Sequence, residues 1–251
     1  MILMTTPSIY TPEQTACLDK ARVPRHVAII PDGNRRWARQ REEMVLLGHQ
    51  AGANTLIEIV KAGKELGVKA MTFYLFSTEN WNRSKQEVIA LMWLLEDFLR
   101  RRCEEMKEHG VRLMTIGNLK ALSSEVQLAI EETMQSTAHC TDIDMIFALN
   151  YGGRDDLCRA FHKIVDEHKG SLKSEHLTEN LISRHLDTAP WGDPELLIRT
   201  SGEMRISNFL LWQLSYSEIH VTDALWPDFS HEDLLTAIRD FQTRDRRLGG
   251  T

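Results

Sequence analysis

With 251 residues and 42% apolar side chains, the chain has the length of one large α/β domain, and the apolar content excludes disorder as its default state. A formal net charge of −6 excludes a general nucleic-acid binder, which needs a basic face, but leaves room for local arginine clusters. Cys17, Cys103, Cys140 and Cys158 are scattered without a Cys-x-x-Cys pair, which argues against zinc. With no secretory leader in view, they fit a reducing cytoplasm.

Residues 1–22 carry little periodicity and read as a flexible N-terminal arm, leaving 23–251 as a single domain with no linker rich enough in Pro, Gly or Ser to divide it. Short β-like runs then alternate with longer helical patterns. Strands are predicted at His26–Pro31, Ala70–Phe76, Val111–Ile116, Ile143–Leu149, Glu195–Ile198 and Glu218–Val221. Helices are predicted near 49–66, 85–109, 124–138, 154–168, 175–187 and 231–247. Ser84-Lys-Gln-Glu87 and Ser124-Glu-Val-Gln127 have the form of capping boxes. Such alternation implies crossover units, hence an α/β fold with a mainly parallel six-stranded sheet and helices on both faces.

Ligands of such sheets bind beyond the carboxyl ends of the strands, and the polar residues of this chain gather after strands. The first run empties into Asp32-Gly-Asn-Arg-Arg36, the second into Ser77-Thr-Glu-Asn-Trp-Asn-Arg83. The fourth leads to Asn150-Tyr-Gly-Gly-Arg154, and the fifth to Arg199-Thr-Ser-Gly-Glu203, Arg205 and Ser207. A single carboxylate suits Mg²⁺, which fills its shell with phosphate oxygens and water. Guanidiniums fork onto phosphate oxygens, and the helix opening after Asp32 offers free N–H groups to an anion. Taken alone, Asp32–Arg36 is also compatible with a solvated turn held by structural ion pairs. Four such loops on one rim make a diphosphate site.

From Val88 to Leu95 the helical pattern is apolar on every side, which requires cover all round. That stretch is either a fully buried central helix or in part the wall of an apolar channel for a lipid chain. It is far shorter than the roughly 20 residues of a membrane span.

In combination these blocks resemble the cis-prenyltransferases, in their bacterial undecaprenyl diphosphate synthase branch. The resemblance runs from His26 nearly to the C-terminus. It rests on His26-Val-Ala-Ile-Ile-Pro-Asp-Gly-Asn-Arg-Arg-Trp-Ala38, Gly48-His49 with Ala51-Gly52, Phe76-Ser-Thr-Glu-Asn-Trp-Asn-Arg83 and Asn150-Tyr-Gly-Gly-Arg154. It continues in Ile198-Arg-Thr-Ser-Gly-Glu203, Arg205-Ile-Ser-Asn-Phe-Leu-Leu-Trp-Gln213, Leu225-Trp-Pro-Asp-Phe229 and Arg246-Arg-Leu-Gly-Gly250. The resemblance implies that 23–251 is a catalytic domain with an apolar tunnel beside its sheet. Its reaction would be Mg²⁺-dependent, sequential condensation of isopentenyl diphosphate onto an allylic diphosphate, usually farnesyl diphosphate. The product would be a long-chain cis-polyprenyl diphosphate such as undecaprenyl diphosphate, precursor of the lipid carrier of cell-wall synthesis. It also implies a cytoplasmic homodimer, with peripheral membrane contact for product release, in which Arg247-Leu-Gly249 reaches toward the neighbouring active site.

Carried onto this chain, the resemblance makes Asp32 the essential Mg²⁺ ligand and Glu218 a second acidic metal position. Gly33, Asn34, Arg35, Arg36, Trp37 and His49 would surround the allylic diphosphate. Arg199, Arg205 and Ser207 would clamp isopentenyl diphosphate, with Ile206 among the same substrate-binding positions. Ser77, Thr78, Glu79, Asn80, Trp81 and Arg83 would form a mobile loop over the substrates, with Asn80 associated with proton removal, although an amide is a poor base. Without the family, His49 reads as a helix-terminus histidine, Trp81 as loop packing and Glu218 as an interface ion-pair member. Trp212 and Phe209 read as core.

Three positions depart from the family pattern. Val45 stands where many relatives carry an arginine against the allylic diphosphate, leaving Arg39 or Arg41 to substitute or the binding weaker. Met204 replaces a histidine found near the metal in some relatives. Leu75 fills a position that is small in some long-chain enzymes. Two other readings remain: a catalytically silent accessory subunit of a prenyltransferase complex, and a phosphate-ester hydrolase, for which no activated nucleophile is visible.

Overall fold

The computed structural model describes residues 8–169 and 171–246. Six strands form one sheet in the order β3-β4-β2-β1-β5-β6, every pair parallel. They are β1 (His26–Ile30), β2 (Ala70–Ser77), β3 (Val111–Ile116), β4 (Ile143–Tyr151), β5 (Leu196–Arg199) and β6 (Glu218–Val221). All residues of β1, β4 and β5 are buried, as expected of a parallel sheet covered on both faces. That burial is why they read as continuous apolar runs rather than alternating ones.

The helices are α1 (Pro12–Thr15), α2 (Asn34–Gln40), α3 (Val45–Leu66), α4 (Lys85–Glu108), α5 (Ser124–Thr137), α6 (Gly153–His168), α7 (Glu179–His185) and α8 (His231–Thr243). α3, α4, α5 and α8 bury their apolar faces in one large cluster with Val27, Ile29, Met71, Phe73, Met145 and Phe147 of the sheet. Alternate residues of the same strands, including Ala28, Ile30, Ile146, Ala148 and Leu197, point into a second cluster under Phe209 and Leu210. This two-sided core is the period of two of a β-strand made visible.

Several boundaries differ from the sequence reading. α3 opens one turn earlier, at Val45, and closes on Gly67, whose φ of +104° lets its N–H cap Gly63 and Lys64. α7 is shorter than 175–187, because Ser174–His176 winds as a separate 3₁₀ turn and Thr178 caps a new start through Leu181. Ser84 caps α4 by accepting from Glu87 N at 3.3 Å. At α5 the N-cap is Ser123, without a side-chain cap bond, so the box predicted at Ser124 does not form. Within the arm, Tyr10 is buried, its hydroxyl donating to His231 O at 2.9 Å, and Ile9 N donates to Glu65 at 2.8 Å.

The order of connection fixes where a ligand can sit. From β1 the chain adds β2, crosses to the edge strand β3, fills the gap with β4, then returns to β1's other side for β5 and β6. The direction of winding reverses between β1 and β5. A crevice opens beyond the carboxyl ends of strands at such a point. Asp32 and Arg199 stand at those two ends.

Candidate active site

Arg199, the last residue of β5, is 4% exposed, and its Nη2 donates to Asp32 Oδ2 at 2.8 Å. Its Nη1 donates to Ser207 Oγ at 3.0 Å and also to the Arg205 carbonyl. The other oxygen of Asp32 accepts the Gly33 N–H at 2.7 Å. Thr200 locks the same turn, its hydroxyl donating to Asp32 O at 2.7 Å and accepting Asp32 N at 2.8 Å. Gly33 has φ +108°, and a Cβ there would stand 3.0 Å from Leu225 Cδ2, so the turn requires glycine.

The Gly-His-x-Ala-Gly block has a packing cause. A Cβ on Gly48 would overlap Asn34 O, and one on Gly52 would overlap Asn34 Oδ1 and lie 2.7 Å from Trp226 Cδ1. Two bare glycines on α3 thus let the start of α2 lie against it. This packing delivers His49 to the rim. Burial first, and then the Arg83 cation, push the His49 imidazole down to about 4, so the ring is neutral at pH 7. Its Nε2 and the Asn34 Oδ1 are buried with no hydrogen-bond partner in the protein, as expected of groups that meet a ligand.

The rim arginines are held by carboxylates. Arg35 and Arg83 share Glu87, with Arg35 Nε and Arg83 Nη1 each 3.1 Å from Oε1. Arg36 reaches Glu203 at 3.1 Å and the Ser201 carbonyl at 3.0 Å, and Arg205 pairs with the same Glu203. Arg41 stacks on Trp37 at 4.0 Å and reaches Asp228 at 3.2 Å, while Trp37 Nε1 donates to that carboxylate at 2.7 Å. Each guanidinium is therefore pre-placed by an anion that a phosphate oxygen could replace.

After β2 the chain turns through a short 3₁₀ segment, Thr78–Asn82. Asn80 Oδ1 accepts Ser77 N at 3.2 Å, Trp81 Nε1 donates to Asn150 Oδ1 at 2.7 Å, and Glu79 accepts from Asn208 Nδ2 at 2.9 Å. The third loop, Asn150–Arg154, and the fourth are thus stitched to the second. Asn150, Ser201, Ser207, Asn208 and Leu210 all have positive φ. Non-glycine residues in that region store strain, and their concentration on one rim marks it as functional.

Two cavities share this rim. The smaller, of about 270 Å³, is lined by Asp32, Gly33, Asn34, Arg35, Arg36, Arg39, His49 and Arg83. The larger, of about 730 Å³, takes in Asp32, Asn34, His49, Ser77, Glu79, Asn80, Arg83, Arg199 and Ser207. It then runs between α3 and α4 past Ala53, Leu56, Leu75, Leu91, Leu95 and Phe98. A charged mouth opens onto an apolar channel. Leu75 enters it because it shares a face of β2 with Met71 and Phe73, and a slip of the β2–β4 register between Tyr74 and Phe76 leaves it unpaired. α4 is one wall of this channel but is not covered all round: Ile89 and Trp93, one turn apart, are 68% and 53% exposed.

Not every predicted residue lines a cavity. Trp37 and Trp81 support the rim from behind, Thr78 packs near Gly152, and Ile206 joins the second core cluster. Arg205 offers its carbonyl to Arg199 and its side chain to Glu203. Glu218 opens β6 opposite Leu196, roughly 10 Å back along the sheet from Arg199, and binds Arg244 at 3.0 Å. Within one chain it does not join Asp32. Met204 is exposed, and Arg247–Gly249 lie outside the described residues. Missing from the predicted set were Arg154, Thr200 and Asn208, although all three stand inside the quoted motif blocks; Arg39, named only as an alternative to Arg41, lines the smaller cavity. Among the described residues no three His, Cys, Asp or Glu side chains converge on one point, and no helix is long and apolar enough to cross a membrane.

Comparison with known proteins finds the same fold and sequence family elsewhere. The prenyltransferase profile described as "Putative undecaprenyl diphosphate synthase" matches residues 30–249. An isoprenyl transferase of Chlamydia trachomatis is 47% identical over 232 residues, covering 90% of this chain and 92% of the relative. An isoprenyl transferase of Bacillus subtilis is 47% identical over 232 residues, covering 92% and 89%. The crystal structure of lavandulyl diphosphate synthase from Lavandula x intermedia, in complex with dimethylallyl diphosphate, superposes with a TM-score of 0.86 at 38% identity, covering 90% of this chain and 98% of that one. A probable undecaprenyl diphosphate synthase from Campylobacter jejuni gives 0.77 at 30% identity, with coverage of 90% and 98%.

Proposed function

The chain belongs to the undecaprenyl diphosphate synthase family of prenyltransferases, and from that premise we propose that it condenses isopentenyl diphosphate, head to tail, onto farnesyl diphosphate. Repeated condensation yields a long-chain cis-polyprenyl diphosphate such as undecaprenyl diphosphate, the precursor of a cell-wall lipid carrier. One observation carries the reading: the Asp32–Arg199 pair, at 2.8 Å, stands where the two cationic cavities meet, at the mouth of an apolar channel.

The allylic diphosphate occupies the smaller cavity, gripped by Arg35, Arg36 and Arg83 as they leave Glu87 and Glu203. Neutral His49 directs Nε2 at a phosphate oxygen. Isopentenyl diphosphate lies against Arg199, Ser207 and Arg205. A hard cation suits the donor set, because Asp32 is a lone partly exposed carboxylate beside space for phosphate oxygens and water. Asp32 would hold Mg²⁺ there, and the ion would supply neutralisation of charge on the departing diphosphate. The isopentenyl double bond attacks the allylic carbon as its C–O bond breaks, a new C–C bond forms, and a proton leaves C2 of the isopentenyl unit. Asn80 has its amide oxygen engaged by Ser77 N, so its role is to orient, and the departing diphosphate takes the proton. The lengthening tail descends between α3 and α4. The working form is a cytoplasmic homodimer that meets the membrane peripherally to release its product.

The test is incubation of the pure protein with labelled isopentenyl diphosphate, farnesyl diphosphate and Mg²⁺. Label passes into solvent-extractable polyprenyl product, and Asp32→Ala lowers the rate at least about 100-fold with an unchanged circular dichroism spectrum. Absence of label in the extract from the unmodified protein would refute the reading and leave an accessory subunit as the better one.

A further inference from the structure

The arginines of the smaller cavity are not equivalent. Arg35 and Arg83 are held by Glu87, and Arg36 by Glu203, so an anion that engages them competes with a carboxylate for part of each guanidinium. Arg39 lines the same cavity, is exposed, and its side chain makes no hydrogen bond or ion pair among the described residues. It lies on α2 one turn beyond Arg36 and Arg35, and helix geometry sends residues three and four apart out of the same side. A second, independent feature points to a ligand here: half-buried His49 lines the same cavity, and its Nε2 is buried and unpartnered. α3 brings no cation of its own, because the position one turn before His49 is Val45.

We propose that Arg39 is a substrate-binding residue, the guanidinium that captures the allylic diphosphate head in the smaller cavity of this chain. The assignment rests on the function proposed above and adds a residue to it. An unengaged guanidinium binds without breaking an internal pair, so its attraction to the anion is offset only by its own ordering and desolvation. It also resolves which neighbour takes the place left by Val45, since Arg41 is committed to Trp37 and Asp228.

The experiment is Arg39→Gln, which removes the charge from an exposed side chain that holds nothing else in place. With each substrate varied in turn, KM for farnesyl diphosphate rises about tenfold, whereas kcat and KM for isopentenyl diphosphate stay within about twofold. A calorimetric titration with inorganic pyrophosphate gives an affinity at least about fivefold weaker than that of the unmodified protein. Unchanged KM and unchanged pyrophosphate affinity would overturn the assignment, as would an equal rise in both KM values, which marks diffuse electrostatics instead of a specific contact. If the unmodified protein makes no polyprenyl product, the reaction assignment fails by itself. The pyrophosphate titration still decides Arg39 in that case: weaker binding sustains its anion site and equal binding removes it.

Discussion

The Thr200 hydroxyl holds both backbone faces of Asp32, accepting its N–H at 2.8 Å and donating to its carbonyl at 2.7 Å. Neighbouring strands thus fix the peptide that carries the central carboxylate, independently of any ligand. Thr200→Val keeps the shape and loses both bonds, leaving the Asp32 N–H only Ile30 O and its carbonyl only the Trp226 N–H. It should lower stability by about 1–3 kcal/mol in urea unfolding and raise the Mg²⁺ concentration needed for half-maximal rate. A variant with unaltered stability and metal dependence would show that the clamp is incidental.

Val45 opens α3 one turn before His49, so a long side chain there lies on the flank that meets the smaller cavity. Val45→Arg adds a cation to that flank and should lower the KM for the allylic substrate. Kinetics identical to those of the parent protein would rule this out.

Leu75 is the bulged residue of β2 and projects into the apolar channel. Leu75→Ala widens the channel at that level. Chromatography of the products should show a distribution shifted to longer chains, and an unaltered distribution would mean that length is set elsewhere.

Burial pushes the His26 and His49 imidazoles down to about 4 from an ordinary value of 6.5. A base depressed by folding contributes stability that is present above 6.5 and lost as the pH falls toward 4. Asp156 runs the other way: burial, then the Asp187 charge, push its carboxyl up to about 6. Its contribution is complete below about 3.9 and is lost as the pH rises through 6. His26→Gln removes one of these titrations, so its urea midpoint should fall less than that of the parent protein between pH 6.5 and 4.5. The same slope in His26→Gln as in the parent protein would contradict this assignment.

Much of the fold was legible because a parallel sheet buried on both faces writes its strands as short apolar runs, and β3 and β6 lie where the runs predicted them. The rim was legible because polar residues follow strands at the carboxyl end. The position of Glu218 was readable by the same rule, since a residue that opens a parallel strand faces the other end of the sheet. Pairing was not readable. No spacing in the sequence says that Glu87 holds Arg35 from another helix, or that Arg39 alone is left free in the smaller cavity. α4 misled because an unbroken apolar run implies complete cover, whereas the fold covers only the channel side and leaves Ile89 and Trp93 exposed.

A crystal structure with unreactive analogues of both reactants bound together tests this arrangement most directly. One diphosphate should lie on Arg199 and Ser207, the other on Arg36, Arg39 and His49, with the Asp32 carboxylate between them and the prenyl tail between α3 and α4. Diphosphates lodged in separate, unconnected cavities, or a tail lying outside the α3–α4 channel, would contradict it.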